Sequence, residues 1–146
     1  MSITIKNIFI SGAISPQKIA DSIAHHSTKT NIGGHSIFLG QVRADLKNNG
    51  EFVTSIEYSA YKEMALEKAH EIRESIFHKY SLTCMHIYHS LGNVKAGEIC
   101  LFVFTSAKHR KAAIDACNEV VDRIKNDLPV WGKEIINNDK SVWKTN

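Results

Sequence analysis

The stretch FTSAKHRKAAIDA, Phe104 to Ala116, gathers Lys108, His109, Arg110 and Lys111 where the pattern predicts a strand running into a helix, with Thr105 or Ser106 as N-cap. A helix N-terminus already carries partial positive charge and unpaired N–H donors, so each exposed cation there costs a few tenths to ~1 kcal/mol. A phosphate reverses that balance by accepting charge-assisted hydrogen bonds from His109, Arg110 and the backbone amides. The alternative is that these side chains simply extend into water.

Three more cations sit beside structural punctuation. Arg43 ends the apolar stretch HSIFLGQVR, just after Gly40. Lys125 falls in the last turn of the helix begun at the basic cluster, and Lys133 in the corner PVWGKE that follows. A lysine near a helix C-terminus also suits the helix dipole, so its position alone does not assign it chemistry. Trp131 reads as a core or interface residue. Eight histidines raise the question of a metal. His86 and His89, three apart on a strand, leave on opposite faces, and His25 and His26 are neighbours that cannot converge. No Cys/His spacing matches a zinc site, so no metal is expected. Nucleophile elbow, Walker loop and dinucleotide fingerprint are also missing, and no cofactor is expected.

The elements that must hold these residues follow from periodicity. Ile3, Ile5, Ile8 and Ile10 predict a first strand with an irregularity near Asn7. Ser15-Pro16 opens a helix to about His26, NIGG is a turn, and His35–Arg43 is a strand in which Gly40 marks a bulge or a close backbone approach. Asn49-Gly50 is a turn, VTSIEYSAY a strand, and Lys62 to Tyr80 a helix with apolar residues at three- and four-residue spacing. LTCMHIYHSLG is a strand, NVKAGE a turn, and ICLFVFT an unbroken apolar strand at the centre of a sheet. The next helix buries Ala113, Cys117, Val120, Val121 and Ile124 and ends at Pro129. LPVWGKEII and KSVWKTN give a loop and a closing strand or two. Strands and helices mix without strict alternation, which is α+β, with a mixed or antiparallel sheet and about three helices.

At 146 residues the chain fits one domain, residues 1–146, able to bury roughly 68–70% of its unfolded surface. A formal charge of +3 mildly favours anions but is too small and too dispersed to indicate nucleic acid. Cys84, Cys100 and Cys117 are odd in number and form no C-x-x-C pair, as in reduced structural cysteines. The start MSITIKNIFISG lacks the apolar core of a signal peptide, and no run is long enough to cross a membrane, so a soluble cytoplasmic chain is expected.

Five segments in order, FLGQVRAD, EYSAYKEMA, HSLGNVKAGE, SAKHRKAA and IKNDLPVWGKE, resemble the large, catalytic subunit of molybdopterin synthase. The resemblance runs from about Gly33 to the C-terminus, and the first strand and helix are compatible with it. It implies an α/β-hammerhead fold and a homodimer at the centre of a heterotetramer. A small ubiquitin-like sulfur-carrier subunit would dock at each end, its C-terminal Gly-Gly thiocarboxylate donating sulfur to cyclic pyranopterin monophosphate to build the dithiolene of molybdopterin. It also implies substrate-binding roles for Gln41, Val42 and Arg43, for His109 and Arg110, and for Gly132, Lys133 and Glu134. Lys125 falls on the family's key lysine, with a role in both binding and catalysis.

The chain departs from many relatives at one point, where Gly132 replaces a lysine directly after the tryptophan and Lys133 follows one residue later. The catalytic pair is then Lys125 with Lys133 swung in on the flexible Gly132, or Lys125 with less help. Arg110 and Lys125 lie fifteen residues apart on one helix, about 22 Å along its axis at 1.5 Å per residue, so a site using both is expected to combine two protomers. Two rivals from other classes remain. A non-catalytic module binding a phosphorylated metabolite explains the basic turn but gives Lys125 no task. An RNA-binding domain would interleave basic and aromatic residues, which no strand here does.

Overall fold

The computed structural model describes residues 5–136 and the backbone of residues 141–143. Its elements in order are β1 (Phe9–Ser11), α1 (Pro16–His26), β2 (Gly34–Gln41), β3 (Val53–Ala60), α2 (Lys62–Lys79), β4 (Cys84–Lys95), β5 (Ile99–Ala107), α3 (Arg110–Asp127), β6 (Val130–Ile136) and β7 (Ser141–Trp143). Among the described residues this is the α+β arrangement with three helices that the periodicity predicts. Ile3 lies outside the described residues, as do the last residues of KSVWKTN beyond β7.

Six strands run antiparallel in the order β2-β5-β4-β3-β6-β7, and β1 adds in parallel to β4. The apolar β5 is central, flanked by β2 and β4 and buried from Cys100 to Ala107. β4 binds the two halves of the sheet together. Its first half pairs with β5 and its second half, from Gly92 to Lys95, with β3. Gly92 at φ +85° supplies the bend between them, a left-handed conformation that a side chain would strain. The expected NVKAGE turn is therefore shorter than its composition suggests. Asn93, Val94 and Lys95 remain in the strand, and the chain reverses at Ala96-Gly97, where the Glu98 amide donates to the Lys95 carbonyl.

Strand alternation sorts the core into two layers. Phe102 and Phe104 pack with Ile14 and Ile19 beneath α1. Leu101, Val103, Met85 and Ile87 pack on the other face with Ala69, Ile72 and Ile76 of α2 and Ala116, Cys117, Val120 and Ile124 of α3. Val121 is only partly buried, and Ala116 takes the inner position. His86 and His89 leave β4 on opposite faces, the first toward α1 and the second toward α3.

The start of α3 differs from expectation. Thr105 and Ser106 stay in β5, and His109 is the N-cap, without a side-chain capping bond. Burial decides this. Both hydroxyls are fully enclosed, and Thr105 Oγ1 donates to the Ala113 carbonyl at 2.7 Å, tying the strand to the helix. Gly33 and Gly34 brace the same corner. A Cβ at Gly33 would fall onto the Lys108 carbonyl oxygen, whereas one at Gly34 would meet Arg110 Cα at an ordinary 3.4 Å. Gly33→Ala is accordingly expected to cost about 1–3 kcal/mol. Thermal melts should show a drop of several degrees, with a smaller one for Gly34→Ala.

Candidate functional site

Lys125 stands where two clefts meet. One, of about 220 Å³, is lined by Gln41, Arg43, Ile56, Glu134 and Lys125 among others. The other is narrower, about 60 Å³, and is lined by Tyr58, His89, Ile124, Lys125, Trp131 and Gly132 among others. The fold thus brings four segments that are remote in sequence around the last turn of α3.

Each segment has a local reason to present its residue there. The register between β2 and β5 shifts at Gly40/Gln41, and this bulge re-aims the strand end. Val42 turns into the core, 1% exposed, and its amide and carbonyl are taken by Glu98 and Gly97. Its side chain acts as an anchor between Gln41 and Arg43, both exposed. Arg43 donates from Nε and Nη2 to the two carboxylate oxygens of Asp45 at 3.1 and 3.2 Å. The pair is exposed and worth little stability, but it poses the guanidinium. Glu134 is buried and accepts from Lys47 Nζ at 2.6 Å.

β6 settles which side of the corner faces Lys125. Gly132 pairs with Tyr58 and Glu134 with Ile56, so these four share one face, and all four line the clefts. Lys133, one residue out of phase, leaves on the opposite face of the strand and lines neither cleft. The structure does not bring Lys133 to Lys125. A Cβ at position 132 would lie 2.9 Å from Ile56 Cγ2 and 3.3 Å from Tyr58 Cε1. Tyr58 and Ile56 fill the space that a larger residue after Trp131 would claim.

Sequence reading passed over two residues of this site, Tyr58 and His89. The Tyr58 ring meets the His89 ring edge-on at 5.2 Å. Burial and contact with Cys100 push the Tyr58 phenol well above its ordinary range, so it is a neutral donor. His89 is buried and its Nδ1 donates to the Ser90 carbonyl at 2.8 Å, which fixes the tautomer with Nε2 unprotonated. Burial pushes its pKa down to about 4, against the hydrogen bond to Ser90, and the charge of Lys125 lowers it further. The only signal in the sequence was the histidine on the face of β4 opposite His86.

The linkage has a definite sign. An unfolded histidine titrates near ~6.5, so below that pH the unfolded chain takes up a proton that His89 refuses until about 4. Stability from this residue is complete above pH ~6.5 and falls as the pH drops toward 4, by up to about 3 kcal/mol. Melting temperatures measured from pH 7.5 to 4.5 should show the slope, and His89→Gln should make it shallower, leaving the part that comes from His86, whose pKa burial also lowers to about 4. An equal slope in the variant would assign the effect elsewhere.

The basic cluster occupies the far end of α3. Lys108, His109, Arg110 and Lys111 are all exposed, the first turn has no acidic residue, and Lys111 is paired with Asp115 at 2.9 Å. The helix runs unbroken from Arg110 to Asp127, so within one chain His109 and Arg110 are kept from Lys125 by nearly its whole length. Among the described residues no helix is long and apolar enough to cross a membrane. Cys84, Cys100 and Cys117 are buried and unpaired.

Comparison with known proteins bears on this geometry. The family model MoaE, described as MoaE protein, matches residues 11–127. A protein of Pyrococcus abyssi called molybdopterin synthase catalytic subunit is 38% identical over 117 residues, covering 80% of this chain and 77% of that one. Proteins of the same name from Drosophila mojavensis and Oryza sativa subsp. indica are both 37% identical across 78% of this chain. The match spans only 31% and 58% of their lengths. The crystal structure of molybdopterin synthase from Staphylococcus aureus superposes with a TM-score of 0.81 at 27% identity, covering 98% of this chain and all of that one. A complex of subunits 1 and 2 of molybdopterin-converting factor from Helicobacter pylori shares the fold, with a TM-score of 0.79 at 20% identity over 94% of this chain and 89% of that one.

Proposed function

The chain belongs to the MoaE protein family, that of molybdopterin synthase catalytic subunits, and from that premise we propose that it transfers sulfur to cyclic pyranopterin monophosphate. A small ubiquitin-like carrier supplies the sulfur as a C-terminal Gly-Gly thiocarboxylate, and two transfers complete the dithiolene. The observation that carries this reading is Lys125 at the junction of two clefts, with Gln41, Arg43, Gly132 and Glu134 around it.

The division of labour follows from the chemistry. The partner brings an activated sulfur, so no nucleophilic cysteine is required of this chain, and its three cysteines are buried. The narrow cleft beside Trp131 and Gly132 suits an extended, side-chain-free Gly-Gly tail. The wider cleft, with Arg43 at its rim, suits a polar heterocycle. Lys125 acts where they meet, stabilising negative charge as oxygen leaves or capturing the carrier's acyl group. Tyr58 and His89, both neutral, form one wall of the narrow cleft beside it. Lys133 is given no part in the chemistry, because it leaves β6 on the other face.

The cyclic phosphate goes to the basic start of α3, where His109 and Arg110 flank free amides. Since one helix separates that anchor from Lys125, the working site joins His109 and Arg110 of one protomer to Lys125 and Arg43 of its partner. The assembly is then a homodimer carrying a carrier subunit at each end, working in the cytoplasm.

The test is reconstitution. Purified chain, thiocarboxylated carrier and cyclic pyranopterin monophosphate are mixed, and dithiolene product is detected. Product is expected only when all three are present. Tight pterin binding without turnover would overturn the synthase reading in favour of a metabolite-binding module.

A further inference from the structure

We propose that His26, Cys84 and His86 form a binding site for one thiophilic divalent metal ion of the zinc class, on the face of the sheet away from Lys125. Cys84 and His86 are two apart on β4, so alternation turns both side chains toward α1. His26, the last residue of α1, meets them there. The two Nε2 atoms are 2.9 Å apart, and with Cys84 Sγ all three ligand atoms lie within 4.8 Å of one another. Tetrahedral zinc, with bonds of about 2.0–2.1 Å to nitrogen and about 2.3 Å to sulfur, holds such atoms roughly 3.3–3.6 Å apart. The set closes on an ion by shifts of about 1 Å. Sequence spacing could not show this, because the ligands come from two elements about sixty residues apart.

The surroundings resemble a built site. His26 Nδ1 donates to the Ser22 carbonyl at 2.7 Å, which leaves Nε2 as a lone pair facing the other two ligands. A second hydrogen bond of this kind orients metal-bound histidines and raises their basicity. His26 and Cys84 are buried, while His86 borders an open cleft of about 610 Å³ lined by His25, Asp21 and Tyr88 among others. That cleft gives an entry path and room for water as fourth ligand. Two imidazoles and a thiolate select zinc, cobalt or copper over magnesium or calcium.

Without metal, the same atoms hold protons. His86 Nε2–H donates to His26 Nε2, Lys6 Nζ donates to His86 Nδ1 at 3.0 Å, and Lys29 Nζ donates to Cys84 Sγ at 2.8 Å. The imidazole pair would be satisfied alone. A thiol in the same shell is what turns the pair into a metal donor set. On binding, the Cys84 proton goes to solvent and the His86 proton passes to Nδ1. Lys29 and Lys6, both exposed, swing away, and Lys6 keeps its bond to the Tyr88 hydroxyl at 3.1 Å. The lysines are competitors of the ion.

The test is titration of the chelator-stripped full-length chain with Co²⁺, followed by Zn²⁺. One Co²⁺ per chain is expected, with a sulfur-to-cobalt charge-transfer band and tetrahedral d–d bands, both bleached by one equivalent of Zn²⁺. Cys84→Ser should abolish the charge-transfer band, and His86→Asn should weaken binding by about 100-fold or more. Lys29→Gln, at an exposed position that keeps the fold, should tighten binding several-fold by removing a competitor. No band in the wild type overturns the proposal. So does a band that survives Cys84→Ser, which would place the ion on Cys100 or Cys117, and so does unchanged or weaker binding in Lys29→Gln.

Discussion

Lys125→Ala is expected to lower dithiolene formation by about 10²–10⁴-fold, the range that one positioned proton-transfer or charge-stabilising group commands. The loss should fall on kcat more than on KM, because the phosphate anchor at His109 and Arg110 is untouched. It should not reflect unfolding. Lys125 is exposed at the end of α3, where a surface contact such as that with the helix dipole is worth about 0.3–1 kcal/mol, and an unchanged circular dichroism spectrum of the variant checks that the fold is kept. Lys125→Arg separates two roles. It preserves charge, so recovery of most activity would mean that Lys125 acts through its field. Continued inactivity would mean that its amine transfers a proton or captures the acyl group, which guanidinium cannot do. A rise in KM at unchanged kcat in Lys125→Ala would demote it to a binding cation.

Co-expression of two impaired variants should restore activity if the site spans two protomers. Arg110→Ala removes a charge-assisted bond to phosphate, worth about 1.5–3 kcal/mol, and should weaken substrate capture roughly 10- to 150-fold. In a mixed dimer of Arg110→Ala and Lys125→Ala, one composite site has lost both groups and the other is intact. Random pairing makes half the dimers mixed, so about a quarter of wild-type activity should return at low substrate concentration. Activity no higher than the mean of the two variants would place both groups of one chain around one ligand and sink the two-protomer site. The expectation rests on the continuity of α3, since a kink or break would have let the helix fold back.

Elements with strong periodicity and local punctuation were legible in the sequence. Ser15-Pro16 starts α1, an unbroken apolar run makes β5 central, and Gly40 marks a bulge. These depend on neighbours a few residues away, whose chemistry the sequence states outright. The ordered motifs likewise pointed to Lys125, Arg43 and the basic turn as one functional set.

Tertiary structure decided everything that depends on which face meets which. Thr105 and Ser106 are good caps by type, yet burial between β2 and β4 holds them in β5 and leaves the cap to His109. Lys133 looked able to stand in for a lysine at position 132. Pairing of β6 with β3 fixes the phase of side-chain alternation, and a shift of one residue sends it to the other face. Val42 sits inside a binding motif but is a core anchor. His89 meets Lys125, and His26 meets Cys84 and His86, only because helices close over opposite faces of β4. A sequence records the order of its residues and their local preferences. Contacts between residues sixty positions apart follow from the register and layering of the packed sheet, which no short stretch of chain contains.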